Sequence, residues 1–484
     1  MEIQQELLDL PYSGDYRHAR NTLGRYANCA MQVFVAVAFA LFLAAAAPFV
    51  GQPAGGANQP ALLLVSVDGM RPDYVLKADQ YNLKIPRLRR LFREGTHATG
   101  VRGVLPTVTF PSHTTILTGV WPVKHGIYSN GVFDPLGTNA AGWQWYSEDI
   151  HSPTLWELAA KAGVVVGSVA WPVSVGAPGV SYLIPEYWRA PKSEEDIKLL
   201  RSLSTRGLIA EIEKTCGSYI TDMDQAALLD RQRTCYAVAI LRNKRTRFTT
   251  VHFAALDHVQ HQTGPFSVES LKTLEQLDQE LGDLEDAARA TYPQTVVCVV
   301  SDHGFTRTDH SLNLLSAFVS EGLVTMTNGH VSEWKAYPQG DGGSAAVVLK
   351  EPHDEVTRMR VAQLLDRLAN NADNGIARVL GPKEIESFGG WARAAFWVDM
   401  QPNFSIVAAG PLTQARKVGG THGYLPSHPE LLASFFIAGP DIRPGVDLGE
   451  VDMRAVAPTL ARVLSMNMPS ADLEALPIFE ASKK

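Results

Sequence analysis

The sequence predicts an α/β protein: a doubly wound, mostly parallel sheet flanked by helices, with an inserted α+β subdomain. Three observations carry this. Continuous apolar runs such as Ala61–Val67 and Thr295–Val300 mark strands buried on both faces, which parallel sheets produce. Helical patterns separate these runs, in the strand–helix–strand order of a doubly wound sheet. Between residues 305 and 420 that alternation breaks, and short strands mix with a helix. At 484 residues, 45% hydrophobic and 19% charged, the chain can bury a large core. A net charge of -7 and the lack of a long lysine or arginine run argue against a nucleic-acid-binding surface.

Residues 1–60 differ from the rest. Arg17, Arg20 and Arg25 precede an apolar run over residues 30–50, and a Gly/Ala/Pro-rich linker follows. Basic, apolar and small residues in that order form an export signal. The run also reaches the roughly 20 residues that span a bilayer. Its alanines and Pro48 favour a cleaved signal over a retained anchor. Either way the basic flank stays cytoplasmic and the body lies outside. The body is therefore expected to be extracytoplasmic, periplasmic or secreted, touching a membrane only through this segment. Cys216 and Cys235 can form one disulfide in an oxidising compartment or remain two thiols. Cys298 lies in an apolar strand, as a buried thiol does.

Residues 61–304 read as the first part of the core. The run Ala61–Val67 ends at Asp68-Gly69. A helix over residues 86–95 and a short strand over 100–105 follow. Then comes Leu105-Pro106-Thr107-Val108-Thr109-Phe110-Pro111-Ser112-His113. A helix can begin at Pro111, whose missing N–H costs nothing there, and Gly119 can cap its end. Thr109 then sits just before a helix N-terminus, which suits a phosphate oxygen. A hydroxyl there is a nucleophile if something lowers its pKa.

A helix starting within residues 152–158 and ending at Gly163 and a strand over 164–170 continue the alternation. Residues 172–192 read as a Gly-, Pro- and aromatic-rich loop, and 194–247 as mostly helical. The strand over 248–256 ends in Asp257-His258-Val259-Gln260-His261. If that stretch is helical, Asp257 and His261 face one way, a spacing that suits two ligands of one metal. A long helix over 267–292 precedes the strand that ends in Asp302-His303-Gly304. Three strands thus end in an acidic residue at one sheet edge, two with histidines beside it. That is a metal-site pattern. After the insertion at 305–420, residues 421–484 return to the core. His422 lies between glycines, in a loop able to approach a ligand. A strand over 433–439 and a helix over 453–464 complete the chain.

The motifs Val67-Asp68-Gly69, Pro106 to His113, Asp257-x-x-x-His261, Ser301-Asp302-His303-Gly304 and Gly420-Thr421-His422-Gly423 resemble, in that order, the alkaline phosphatase superfamily. Within it they resemble the nucleotide pyrophosphatase/phosphodiesterase family, over residues 61 to 465 or so. No cysteine begins the Cys-x-Pro-x-Arg site of the superfamily's sulfatases. The resemblance implies two Zn2+ ions. One would be held by Asp257, His261 and His422. The other would be held by Asp68, Asp302 and His303, with Thr109 as the nucleophilic ligand. It implies hydrolysis of a small nucleotide-type phosphodiester or phosphoanhydride through a phosphothreonine intermediate. Asn130 and the Phe110 N–H would donate to a non-bridging oxygen. Phe110 and Tyr187 mark a region that in the family stacks a nucleobase, although the same rings can simply pack. A phosphomonoesterase or phosphonate hydrolase on the same scaffold is the alternative. Asn130 near Thr109, with no arginine in its place, favours a diester. The oligomeric state is left open.

Overall fold

The computed structural model describes residues 60–139, 142–188 and 195–480. The basic tail and apolar run expected to act in export lie outside them. Among the described residues no helix is long and apolar enough to cross a membrane.

The chain opens with strand β1 (Ala61–Val67), helix α1 (Pro86–Glu94), the short strand β2 (Thr96–His97) and helix α2 (Thr109–Thr118). Helix α3 (Leu155–Lys161) leads to strands β3 (Val166–Val169) and β4 (Tyr182–Ile184). Helix α4 (Ala226–Ala239), strand β5 (Phe248–Phe253) and helices α5 (Ala255–Thr263) and α6 (Val268–Thr291) precede strand β6 (Thr295–Val300). The insertion starts with β7 (Thr306–Leu312) and continues through β8 (Ala336–Gly340), β9 (Ser344–Leu349), helix α7 (Glu355–Ala369), β10 (Ile376–Leu380), β11 (Ala394–Met400) and β12 (Asn403–Ile406) to β13 (Thr413–Thr421). Strands β14 (Phe435–Ala438) and β15 (Val446–Asp447) and helix α8 (Val456–Val463) complete it.

The central sheet has the order β15-β2-β14-β6-β1-β5-β3-β4. Strands β6, β1, β5, β3 and β4 pair in parallel, and β14 runs antiparallel beside β6. Helices cover both faces, as the continuous apolar runs require. Leu63 and Val65 pack with Leu88 of α1, Leu229 and Tyr236 of α4, and Leu277 and Leu281 of α6. Leu62 and Leu64 point the other way, toward Ile116 and Leu117 of α2, Leu155 of α3 and Leu460 of α8. The period-two alternation along β1 thus builds two cores, and each fully buried leucine stabilises the fold by about 1.5–3 kcal/mol.

The insertion has an antiparallel sheet, β8-β9-β11-β10, whose Val347 and Val398 pack with Leu364 and Leu365 of α7. A second sheet, β12-β7-β13, links it to the core. Three local expectations change. Helix α2 begins at Thr109, not Pro111, because first-turn N–H groups have no partner inside a helix and proline is tolerated there; the Ser112 N–H bonds Val108 O at 3.2 Å. The aromatic loop at 172–192 contains β4, recruited by parallel pairing with β3. The Gly419–Thr421 stretch is the end of a strand, paired with β7. Cys216 and Cys235 form a disulfide with Cα atoms 5.8 Å apart, and Cys298 is a buried free thiol.

Candidate active site

The site begins with strand register. Ser66 of β1 pairs with His252 of β5 on one side and Val300 of β6 on the other. The strands therefore end together, and Asp68 and Asp302 leave the same edge. Carboxyl ends of parallel strands are where open α/β sheets bind ligands. The Gly69 and His303 N–H groups donate to Asp302 Oδ1 at 3.1 and 3.0 Å, which fixes that carboxylate. One oxygen of each of Asp68 and Asp302 and one nitrogen of His303 lie within 4.8 Å of one another.

The short turn after β5 is helical, so Asp257 and His261 share one face of α5, with Asp257 Oδ1 and His261 Nε2 3.4 Å apart. The start of α5 is held from behind. Asp230 accepts from the Ala255 N–H at 2.7 Å and pairs with Arg233 at 3.0 Å; Arg233 donates to His252 O at 3.2 Å. Strand β13 lies directly on α5. A Cβ on Gly419 would fall 2.4 Å from His261 O, and one on Gly420 2.8 Å from Gln260 O. Only glycine allows that approach. It delivers His422, whose Nδ1 lies 3.1 Å from Thr107 O. Asp257, His303 and His422 form a second set of donor atoms within 4.8 Å. His303 thus belongs to both sets, and its ring stacks on His422 with centroids 3.7 Å apart. The family resemblance implies a single metal for His303, whereas its ring nitrogen lies within reach of both sets. His261 lies beside Asp257, outside the tight set.

Thr109 Oγ1 lies 3.5 Å from His303 Nε2, at the first turn of α2. His113 bonds Thr109 O through Nδ1 and Ser66 Oγ through Nε2, both at 2.8 Å, which ties the first turn of α2 to β1. The Phe110 N–H donates to Asn130 Oδ1 at 2.8 Å. This revises the expectation that the Phe110 N–H is free for a ligand. It orients Asn130 instead, so the Asn130 amide NH2 is the group turned outward. The Phe110 ring is buried edge-on against Trp143 and Trp145, with centroids at 5.3 and 5.6 Å, and Tyr187 packs on Trp145 at 5.2 Å. Phe110 therefore packs inside a cluster, and its half-exposed neighbour Trp143 is nearer the surface. Neither tryptophan stood out in the sequence, although their Trp-Gln-Trp spacing turns both toward one side of an extended segment.

Behind Asp68 lie two residues the sequence reading passed over. His252 Nε2 is 3.0 Å from Asp68 Oδ2, and His252 Nδ1 is 3.1 Å from Glu186 Oε2. Burial lowers the His252 pKa, but Glu186 and Asp68 outweigh it and raise it to about 10. The signal in the sequence was a histidine inside a strand that is buried along its whole length.

The donor set asks for a cation. Asp68 Oδ1, Asp257 Oδ1 and Asp302 Oδ2 are buried without a hydrogen-bond partner. Such oxygens are costly unless paired or bound to a metal. Burial, then the neighbouring Asp302 and Asp257, push the Asp68 carboxyl well above its usual range. Burial raises Asp257 too, yet His261 and His422 outweigh it and hold that carboxyl well below its usual range. Burial pushes His303 down to about 4 and His422 to about 3, keeping both imidazoles neutral, as metal ligands must be.

A profile of the family described as type I phosphodiesterase/nucleotide pyrophosphatase matches residues 62–425, and the chain belongs to that family, in the alkaline phosphatase superfamily. The chain is 26% identical over 258 residues to ectonucleotide pyrophosphatase/phosphodiesterase family member 3 of Rattus norvegicus, covering 52% of this chain and 26% of that protein. It is 26% identical over 259 residues to the venom phosphodiesterase of Naja atra, covering 51% and 26%. The matched segment thus spans about a quarter of these relatives' length. Among solved structures, murine ectonucleotide pyrophosphatase/phosphodiesterase 5 superposes with a TM-score of 0.60 at 18% identity, covering 87% of this chain and 97% of that one. An inactive variant of the same murine protein in complex with AMP gives 0.60 at 19%, covering 87% and 98%. These neighbours share the fold.

Proposed function

We propose that the chain hydrolyses nucleotide-type phosphodiester or phosphoanhydride bonds, with two zinc ions as cofactors and Thr109 as nucleophile. One observation carries the reading. Three unpartnered carboxylate oxygens and His303 converge beside the Thr109 hydroxyl. Carboxylates with neutral imidazoles suit zinc. Asp68, Asp302, His303 and Thr109 would hold one ion and Asp257, His261 and His422 the other, with His303 between them. When bound, zinc lowers the pKa of a coordinated hydroxyl or water and neutralises charge on a phosphoryl group.

This chain's residues then do the following. Thr109 Oγ1 attacks phosphorus, and the bond to the leaving oxygen breaks as the new bond forms. Water cleaves the resulting phosphothreonine, which returns the hydroxyl and releases a phosphomonoester. The Asn130 amide, oriented by the Phe110 N–H, donates to a non-bridging oxygen where charge develops. Helix α2 adds its partial positive charge at the same place. Relatives named as nucleotide pyrophosphatases and a neighbour that binds AMP support the nucleotide substrate. The Cys216–Cys235 disulfide and the ecto- and venom relatives support an extracytoplasmic body.

The test compares two chromogenic substrates on the zinc-loaded protein. One is the nitrophenyl ester of thymidine monophosphate, a diester; the other is nitrophenyl phosphate, a monoester. The expected result is a large diester preference, lost on chelation, regained with zinc and absent from Thr109→Ala. A monoester preference would replace this reading with a phosphatase on the same scaffold.

A further inference from the structure

We infer that His252, backed by Glu186, is a positioning residue that fixes Asp68 for the cation it shares with Asp302 and His303. The inference rests on the two-metal reading above. The geometry is a chain of two contacts. Glu186 Oε2 meets His252 Nδ1 at 3.1 Å, and His252 Nε2 meets Asp68 Oδ2 at 3.0 Å. Ala170 O also lies 3.1 Å from Nδ1, so that nitrogen has two acceptors while Nε2 faces Asp68. All three side chains are buried, at 5%, 1% and 3% exposure for Glu186, His252 and Asp68.

The consequence falls on Asp68. Its Oδ2 is engaged by His252, while its Oδ1 has no hydrogen-bond partner and lies 3.4 Å from His303 Nε2. One oxygen is tethered, so the other is aimed. A carboxylate free to rotate would present either oxygen, and the open one would lose its fixed place beside Asp302 and His303. Asp302 receives the same service from the Gly69 and His303 N–H groups. Among the described residues no backbone N–H donates to the Asp68 carboxylate, and a side chain from the neighbouring strand supplies the hold. Register makes this possible: His252 stands beside Ser66 in β5, two residues before Asp68 in β1, on the strand that leads into α5. Outer hydrogen bonds of this kind orient ligands, and their loss costs roughly 10–100-fold in metal affinity or activity. Glu186 comes from the segment just after β4, so the aromatic segment reaches the metal centre through this contact.

The test measures zinc rather than turnover. The purified protein is equilibrated at buffered free zinc, and bound metal per chain is counted. The free zinc needed to fill the Asp68 side should rise by about 10–100-fold in His252→Leu, while the Asp257 side fills as in the parent. His252→Gln keeps one N–H donor toward Asp68 and should recover most of the affinity. Thermal melting of the zinc-free proteins separates a folding defect from a metal defect. If His252→Leu does not fold, Glu186→Leu removes the anchor behind the ring, and zinc affinity should fall by about tenfold. A folded His252→Leu that takes up both ions at parental free zinc overturns the inference and leaves the function standing. Parental affinity in Glu186→Leu overturns the role of the anchor. A parent protein that binds no zinc overturns both the inference and the two-metal reading.

Discussion

The two halves of the site are built differently. Asp68, Asp302 and His303 stand on the ends of adjacent parallel strands, and all three are almost fully buried. Asp257 and His261 stand on one short helix, and their side chains are 18% and 41% exposed. His422 arrives from the far end of the insertion. The strand half inherits its geometry from the pairing of β1 and β6 at the centre of the sheet. The helix half is assembled from α5 and β13, elements that meet only because Gly419 and Gly420 let them touch. A rigid half that holds and a more accessible half that opens to solvent is a division suited to covalent catalysis, where the nucleophile must stay fixed and water must later enter.

The sharpest way to probe that division is to remove what lies between the halves. Thr109→Ala should cut kcat by roughly 10⁴-fold or more, the scale of losing a nucleophile, while bound zinc stays close to the parent's on the helix half. A variant that keeps turnover would remove Thr109 from the chemistry. Asn130→Ala serves neither half alone. Its kcat should fall by about 10²–10³-fold, as for loss of an oxyanion donor, with KM and zinc content little changed. A change in KM alone would make Asn130 a binding residue. The halves themselves are compared by removing one ligand from each. Asp302→Asn should lower zinc affinity by more than about 100-fold, beyond the loss typical of an outer hydrogen-bond partner, and the more exposed His261→Gln by about 10-fold, at the low end of that range. Equal losses would mean that burial does not separate the halves. The smallest effect on activity belongs to the support behind α4. The Cys216–Cys235 disulfide joins residues 19 apart. Replacing both with serine should cost about 3 kcal/mol by loop-closure entropy, read as a lower Tm, with kcat/KM at 25 °C retained.

Legibility in the sequence follows the same division. Asp68, Asp302 and His303 could be read because each follows a continuous apolar run, and a buried parallel strand is a local signal. Asp257 and His261 needed one further step, a helix turn after β5, which the i, i+4 spacing supplied. What stayed hidden depends on contacts distant in the chain. His303 belongs to both donor sets only because β13 crosses α5 and brings His422 onto its ring. His252 read as one more residue of a strand, since its meaning lies in the register with β1. Glu186 sat in a segment read as a surface loop, and β4 within it exists only by pairing with β3. The Phe110 ring could equally stack or pack, and Trp143 and Trp145 decide for packing.

The insertion joins the core through two strands, β7 and β13, which pair antiparallel from Thr306 opposite Thr421 outward. His303 lies just before one and His422 just after the other, so the foot of this ribbon carries two of the proposed metal ligands. Everything beyond the ribbon can be regarded as a replaceable cassette. A lineage could lengthen, trim or rebuild the four-stranded sheet and its helix, and so alter what reaches the reaction centre from above. The two histidines stay at the foot of the ribbon, provided that the start of β9 is kept, since the Gly343 N–H bonds His422 O at 2.7 Å and Ser344 Oγ bonds Gly423 O. In this architecture diversification and chemistry are inherited separately, and the ribbon is the seam along which they part.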